Sequence, residues 1–187
     1  MWFQREGFIP LVLREGKMSI QVNEFDYQVL HLSRLFYSDY PNPPYKEMLM
    51  KDKRAYNCLL IQSCYGYFIC IPYRSQISHK YAFMFKKSIR SRTHKSGLDY
   101  TKIVIIQNKD YLDDSQALVD KDEYNETRTN INRIQQEAQE IVDDYITYMK
   151  GNEKISKEEF KRRYQFSTLK YFHKELGIRK TDIGINT

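Results

Sequence analysis

Arg74, Ser75, Ser78, His79 and Lys80 bring a guanidinium, two hydroxyls, an imidazole and an amine into the short stretch Ile71-Pro72-Tyr73-Arg74-Ser75-Gln76-Ile77-Ser78-His79-Lys80. Metal-free cleavage of RNA needs these groups. The 2′-hydroxyl must lose a proton as it attacks phosphorus, and the departing 5′-oxygen must gain one. Charge builds on the non-bridging oxygens, where fixed cations and hydroxyl donors stabilise it. Lys80 or His79 could carry protons, while Arg74 and Ser75 could hold the phosphate. No P-loop, GxSxG, HExxH or paired-carboxylate spacing competes with this cluster. His31, His94 and His173 stand alone, where surface or packing roles outweigh catalysis. No ligand-rich group points to a metal or other cofactor.

Such a loop needs rigid strands behind it. Arg54–Gln62 and Tyr65–Pro72 are β-rich runs joined through Ser63, Cys64 and Gly66, which predicts a hairpin. Leu59, Ile61, Ile69 and Ile71 mark one face and Cys58, Leu60, Phe68 and Cys70 the other, so both strands are expected to be covered on two sides. A turn centred on Cys64 would set Cys58 opposite Cys70. Tyr81, Phe83 and Phe85 give a third strand, Tyr100–Gln107 a fourth, and Ala117–Val119 a short fifth. Phe25, Val29, Leu32 and Phe36 recur at helical spacing after Asn23, and Tyr45–Met50 reads as a further helical piece. Ile131, Ile134, Ala138, Ile141, Val142, Tyr145 and Met149 trace one face of a long helix that Gly151 ends. Ser156-Lys157-Glu158-Glu159 is a capping box opening a basic helix. A last helix is expected over Thr168–Leu176 before Gly177. The fold class is α+β, with a compact, bent antiparallel sheet or partial barrel surrounded by helices.

The 187 residues carry a net charge of +6, unevenly spread. Arg74–Lys109 holds nine Lys and Arg against Asp99 alone, Asp110–Met149 eleven acids against three bases, and Lys150–Lys180 ten bases against four acids. Two basic blocks around an acidic helix point to a polyanionic partner. In the Phe85–Gly97 loop, Lys86, Lys87, Arg90, Arg92, His94 and Lys95 are candidates for phosphate contacts. Lys161, Arg162, Arg163 and Lys170 extend the set, as does Lys53. Duplex DNA fits poorly, because no helix-turn-helix or zinc-finger spacing is present. Splayed RNA bases suit the 16 Tyr and 10 Phe better.

The remaining composition narrows the class. The length suits one domain with its own core, and the longest apolar runs fall far short of the roughly 18 residues of a membrane span. Three Cys without CxxC argue against a disulfide framework or zinc knuckle. The first 17 residues lack a signal-peptide pattern. Arg14-Glu15-Gly16-Lys17 can be encoded by a purine-rich ribosome-binding sequence, which leaves two readings of residues 1–17: an extension ahead of a start at Met18, or an ordinary N-terminal arm. The expected place of action is the cytoplasm.

Three stretches, Arg54-Ala55-Tyr56-Asn57-Cys58-Leu59-Leu60-Ile61, Phe68-Ile69-Cys70-Ile71-Pro72-Tyr73-Arg74-Ser75 and Phe166-Ser167-Thr168-Leu169-Lys170-Tyr171-Phe172, carry a resemblance that runs from Met18 to about Ile178. Through them the chain resembles the toxins of type III toxin–antitoxin systems, the ToxN/AbiQ superfamily, most closely its CptN/TenpN branch. The resemblance implies a MazF/Kid-like sheet and a metal-independent endoribonuclease that leaves a 2′,3′-cyclic phosphate and serves in phage defence. It further implies an antitoxin made of short RNA repeats, cut from a precursor by the toxin, whose pseudoknots bridge toxin copies into an inactive assembly. Relatives open the first core strand with a basic residue, matching Arg54, and carry an N-terminal Tyr corresponding to Tyr27. Their Thr-Ser-Pro-Lys segment after the second strand is matched in its first half by Arg74-Ser75, with the Lys delayed to Lys80. That departure leaves open whether Ser75 or Ser78 is the active hydroxyl and whether His79 shares the proton transfers. A non-catalytic RNA-binding regulator is the alternative.

Overall fold

The computed structural model describes residues 27–50, 57–63, 65–113, 117–152 and 155–179. The expectations for Lys53, Arg54, Cys64 and the first 17 residues lie outside them. Strands β1 (Tyr27–Leu32), β2 (Asn57–Gln62) and β3 (Phe68–Arg74) form an antiparallel centre. β4 (Ala82–Met84) and β5 (Gly97–Asp99) make a hairpin, and β5 continues the sheet along the end of β3. β6 (Val104–Ile106) pairs with the start of β3, and β7 (Leu112–Asp113) with β1. The order β4-β5-β3-β2-β1-β7, with β6 beside β3, is an open path and not a closed barrel. Five helices complete the α+β fold among the described residues: α1 (Arg34–Asp39), α2 (Ile89–His94), α3 (Lys121–Thr129), α4 (Ile131–Met149) and α5 (Lys157–Tyr164).

The two-sided apolar pattern of β2 and β3 is realised, since Leu59, Ile61, Ile69 and Ile71 are buried on one face and Cys58, Leu60 and Cys70 on the other. Each fully buried aliphatic side chain contributes about 1.5–3 kcal/mol. The register differs from the expected one. Cys58 pairs with Pro72 and Leu60 with Cys70, so the two cysteines are diagonal neighbours, both buried thiols outside any disulfide. Residues paired across strands share a face and neighbours along a strand alternate. Tyr27, Ile61, Ile69, Ile71, Tyr73 and Leu98 therefore lie on one face, and Cys70, Pro72, Arg74, Gly97 and Asp99 on the other.

Several expected elements change type. The helix expected around Asn23–Phe36 is β1 followed by α1, with Ser33 capping α1 by accepting from Phe36 N–H. Leu30 and Leu32 alternate inward and Phe36 follows on α1, so strand and helix in succession imitate a helical period. Tyr45–Met50 forms turns, and Ala117–Val119 is not a strand. The strand expected over Tyr100–Gln107 is interrupted, because Tyr100–Lys102 forms a 3-10 turn before β6. The helix expected over Thr168–Leu176 is a 3-10 turn, Thr168–Tyr171, and then turns to Gly177. α4 keeps its expected face, burying Ile134, Ala138, Val142 and Tyr145, and Gly151 at φ +78° follows its end.

Candidate active site

Arg74 is the last residue of β3 and pairs with Gly97, while Asp99 lies two residues further along β5 on the same face. On its other side β5 approaches β4 so closely that position 97 requires glycine, because a Cβ there would stand 2.3 Å from the Phe83 carbonyl oxygen. Asp99 is fully buried. A carboxylate in that position must be surrounded by donors or its desolvation would unfold the site. Its Oδ1 accepts from Thr101 N–H at 2.9 Å and from the Thr101 hydroxyl at 2.7 Å, capping the Tyr100–Lys102 turn. Its Oδ2 accepts from the Arg74 guanidinium, whose side chain is 27% exposed. His79 Nε2 stands 3.4 Å from Oδ1, while His79 Nδ1 is buried without a hydrogen-bond partner. The interruption that splits the expected fourth strand is thus the turn that folds Thr101 over the carboxylate holding Arg74.

Lys102 closes that turn. Burial pushes its ammonium below the usual lysine range; the charge of Asp99 opposes this and that of Arg74 adds to it, with smaller contributions from Glu47 and Lys170. Its Nζ donates to the Phe166 carbonyl at 2.9 Å. Lys170 Nζ lies 2.7 Å from Glu47, which also accepts from the Tyr171 hydroxyl. Burial of Glu47 raises its proton affinity, but the hydrogen bonds from Lys170 and Tyr171 outweigh this and hold it below the usual carboxylate range.

The basic stretch Phe85–Gly97, expected as a loop, is the β4–β5 connection and contains α2. Ser88 caps α2 by accepting from Ser91 N–H at 2.9 Å. Two acids of α3 hold the base of this connection. Glu126 accepts from the backbone N–H groups of Lys86 and Lys87 at 2.9–3.1 Å. Buried Glu123 accepts from the hydroxyls of Ser96 at 2.5 Å and Ser88 at 3.4 Å, with Arg90 at 3.6 Å. The chain leaving β3 is tied to the far end of α2, because Gln76 N–H donates to the His94 carbonyl and Ile77 N–H to that of Lys95. Gln76 sits at φ +60°, a left-handed conformation that disfavours side chains by roughly 1–2 kcal/mol. The tight exit therefore joins the Arg74 cluster to a basic hairpin tip.

The site residues read from sequence distribute unevenly. Arg74 and His79 meet at Asp99, and Lys80 is exposed with its ammonium 5.5 Å from the Tyr81 ring centre. Ser75 is half-buried and Ser78 exposed. Tyr27 is separated from Arg74, because its pairing with Ile61 puts it on the opposite face of the sheet. Lys86, Lys87, Arg92, His94 and Lys95 are exposed around α2, as are Lys161 and Arg162 on α5. Arg163 is engaged with Asp144 at 2.7 Å and Lys170 with Glu47, which reduces their availability to a partner. Asp99, Thr101 and Lys102 were not singled out from sequence. Asp99 alone carried a signal, as the single acid among nine bases.

Among the described residues no group of three or more His, Cys, Asp or Glu side chains is placed to hold a metal ion, and no helix is long and apolar enough to cross a membrane. Comparison with known proteins finds no matching family model, no matching curated protein and no matching solved structure.

Proposed function

We propose that the chain is a cytoplasmic, metal-independent endoribonuclease of the type III toxin kind, restrained by a small repeat RNA that bridges several copies. The observation that carries this reading is the convergence of Arg74, His79 and Thr101 on the buried Asp99, with Lys102 closing the turn that Asp99 caps, beside a basic hairpin tip tied to the same strand exit. Arg74 spends one N–H on Asp99, and a guanidinium has further donors for the non-bridging oxygens of a phosphodiester. Lys102 would take the 2′-hydroxyl proton, since burial favours its neutral amine, and Lys80 would protonate the departing 5′-oxygen. The 2′-oxygen–phosphorus bond forms as the phosphorus–5′-oxygen bond breaks, leaving a 2′,3′-cyclic phosphate and a 5′-hydroxyl. The exposed lysines and arginines around α2 would draw in the backbone of substrate and antitoxin RNA.

A non-catalytic RNA-binding reading draws on His79, whose Nε2 faces Asp99 and whose Nδ1 is turned inward. End-group analysis separates the two. Adenine-rich RNA incubated with the protein in EDTA should yield fragments ending in cyclic phosphate; RNA that is bound and stays intact supports the binder.

A further inference from the structure

Phe166 is 62% exposed, yet its backbone is among the most firmly held near the site. Its carbonyl accepts from Lys102 Nζ, and the next residue, buried Ser167, donates its N–H to the Tyr164 carbonyl and caps the Thr168–Tyr171 turn through Leu169 N–H. No ring among the described residues lies against it. A small, mainly apolar pocket lined by Tyr81, Thr101, Arg163, Tyr164 and Ser167 lies between the residue after Phe166 and the strand exit, where Tyr81 follows Lys80 and Thr101 holds Asp99. A large apolar ring kept in water, on a backbone held by the Lys102 ammonium, matches what an unpaired base needs first: a flat face to stack on.

We infer that Phe166 is the stacking platform of a nucleobase subsite for single-stranded RNA. The inference rests on the RNA reading above, and specifies where one base sits relative to Arg74 and Lys102. Stacking tolerates every base, so the platform contributes affinity and positioning and not sequence choice.

The test is fluorescence anisotropy with a short, labelled, adenine-rich oligoribonucleotide whose 2′-positions are methylated to prevent cleavage. Phe166→Ala should weaken binding by roughly 5- to 100-fold, while Phe166→Tyr retains affinity. The salt dependence should keep the wild-type slope in Phe166→Ala, because no phosphate contact is removed. Thermal melts should coincide, as the ring is exposed. Wild-type binding with unchanged affinity in Phe166→Ala overturns the subsite alone. Unchanged affinity together with lost self-association in Phe166→Ala would make the ring a protein contact and overturn it too. No RNA binding by the wild type overturns the RNA reading itself.

Discussion

Half committed to a buried carboxylate, Arg74 gains a fixed orientation, and the arrangement makes the two partners unequal. Removing Arg74 strands Asp99, which has no water to turn to, whereas removing Asp99 leaves a guanidinium already 27% exposed. Arg74→Met should therefore lower stability by about 3 kcal/mol and Asp99→Asn by only about 1 kcal/mol, measured as shifts in urea midpoint. Arg74→Met/Asp99→Asn should recover much of the loss, because an amide keeps the Thr101 bonds with no stranded charge, and still fail to cleave RNA, which separates folding from chemistry. Lys102 gives a second expectation. With its proton affinity lowered by burial, the cleavage rate should rise with pH through a limb below the usual lysine range, and Lys102→Arg should abolish cleavage. Arg74 and His79 were legible because they share one short stretch. Asp99 and Lys102 were not, because only the pairing of β3 with β5 brings residues 25 positions apart into contact.

The elements show how local pattern and tertiary pairing compete. Phe25, Val29, Leu32 and Phe36 fit a helical period, but β2 requires an edge partner, and pairing from Tyr27↔Ile61 to His31↔Asn57 makes the segment a strand. The long α4 was legible because a nineteen-residue amphipathic period has no competing solution. The basic stretch reads as a loop in sequence because its supports, Glu123 and Glu126, lie 35–40 residues away on α3. Glu126→Ala should lower stability by about 2 kcal/mol, read by urea unfolding, and weaken RNA binding by loosening the base of α2. The junction of α4 with the C-terminal turns carries a pH dependence. The Tyr145 hydroxyl and His173 Nε2 are 2.7 Å apart, and burial holds His173 below the usual histidine range. The unfolded chain then binds the proton more readily than the folded one, so stability should be full above the ordinary histidine value and fall as pH drops through the lowered one. His173→Gln should flatten that acid slope in urea midpoints measured across pH.

For the whole molecule, the segregated charge is partly internal. Glu123, Glu126 and Asp144 each engage a residue of a basic block, so the acidic segment braces the basic ones as well as separating them. What remains exposed around α2 and α5, including Lys86, Lys87, Lys95, Lys161 and Arg162, defines the surface open to a polyanion. RNA affinity should fall with salt with a logarithmic slope of about −0.7 per phosphate neutralised, and Lys86→Ala/Lys87→Ala should reduce that slope. The central claim is that the cluster at the exit of β3 uses a ribose 2′-hydroxyl to break the backbone. It is tested most directly by single-turnover cleavage, in EDTA, of an RNA and of the same strand carrying one deoxyribose at the mapped cut. The account predicts that the all-ribose strand is cut to a cyclic phosphate and the substituted strand is bound but spared there. Equal cutting of both strands at that position, or none of either, would contradict it.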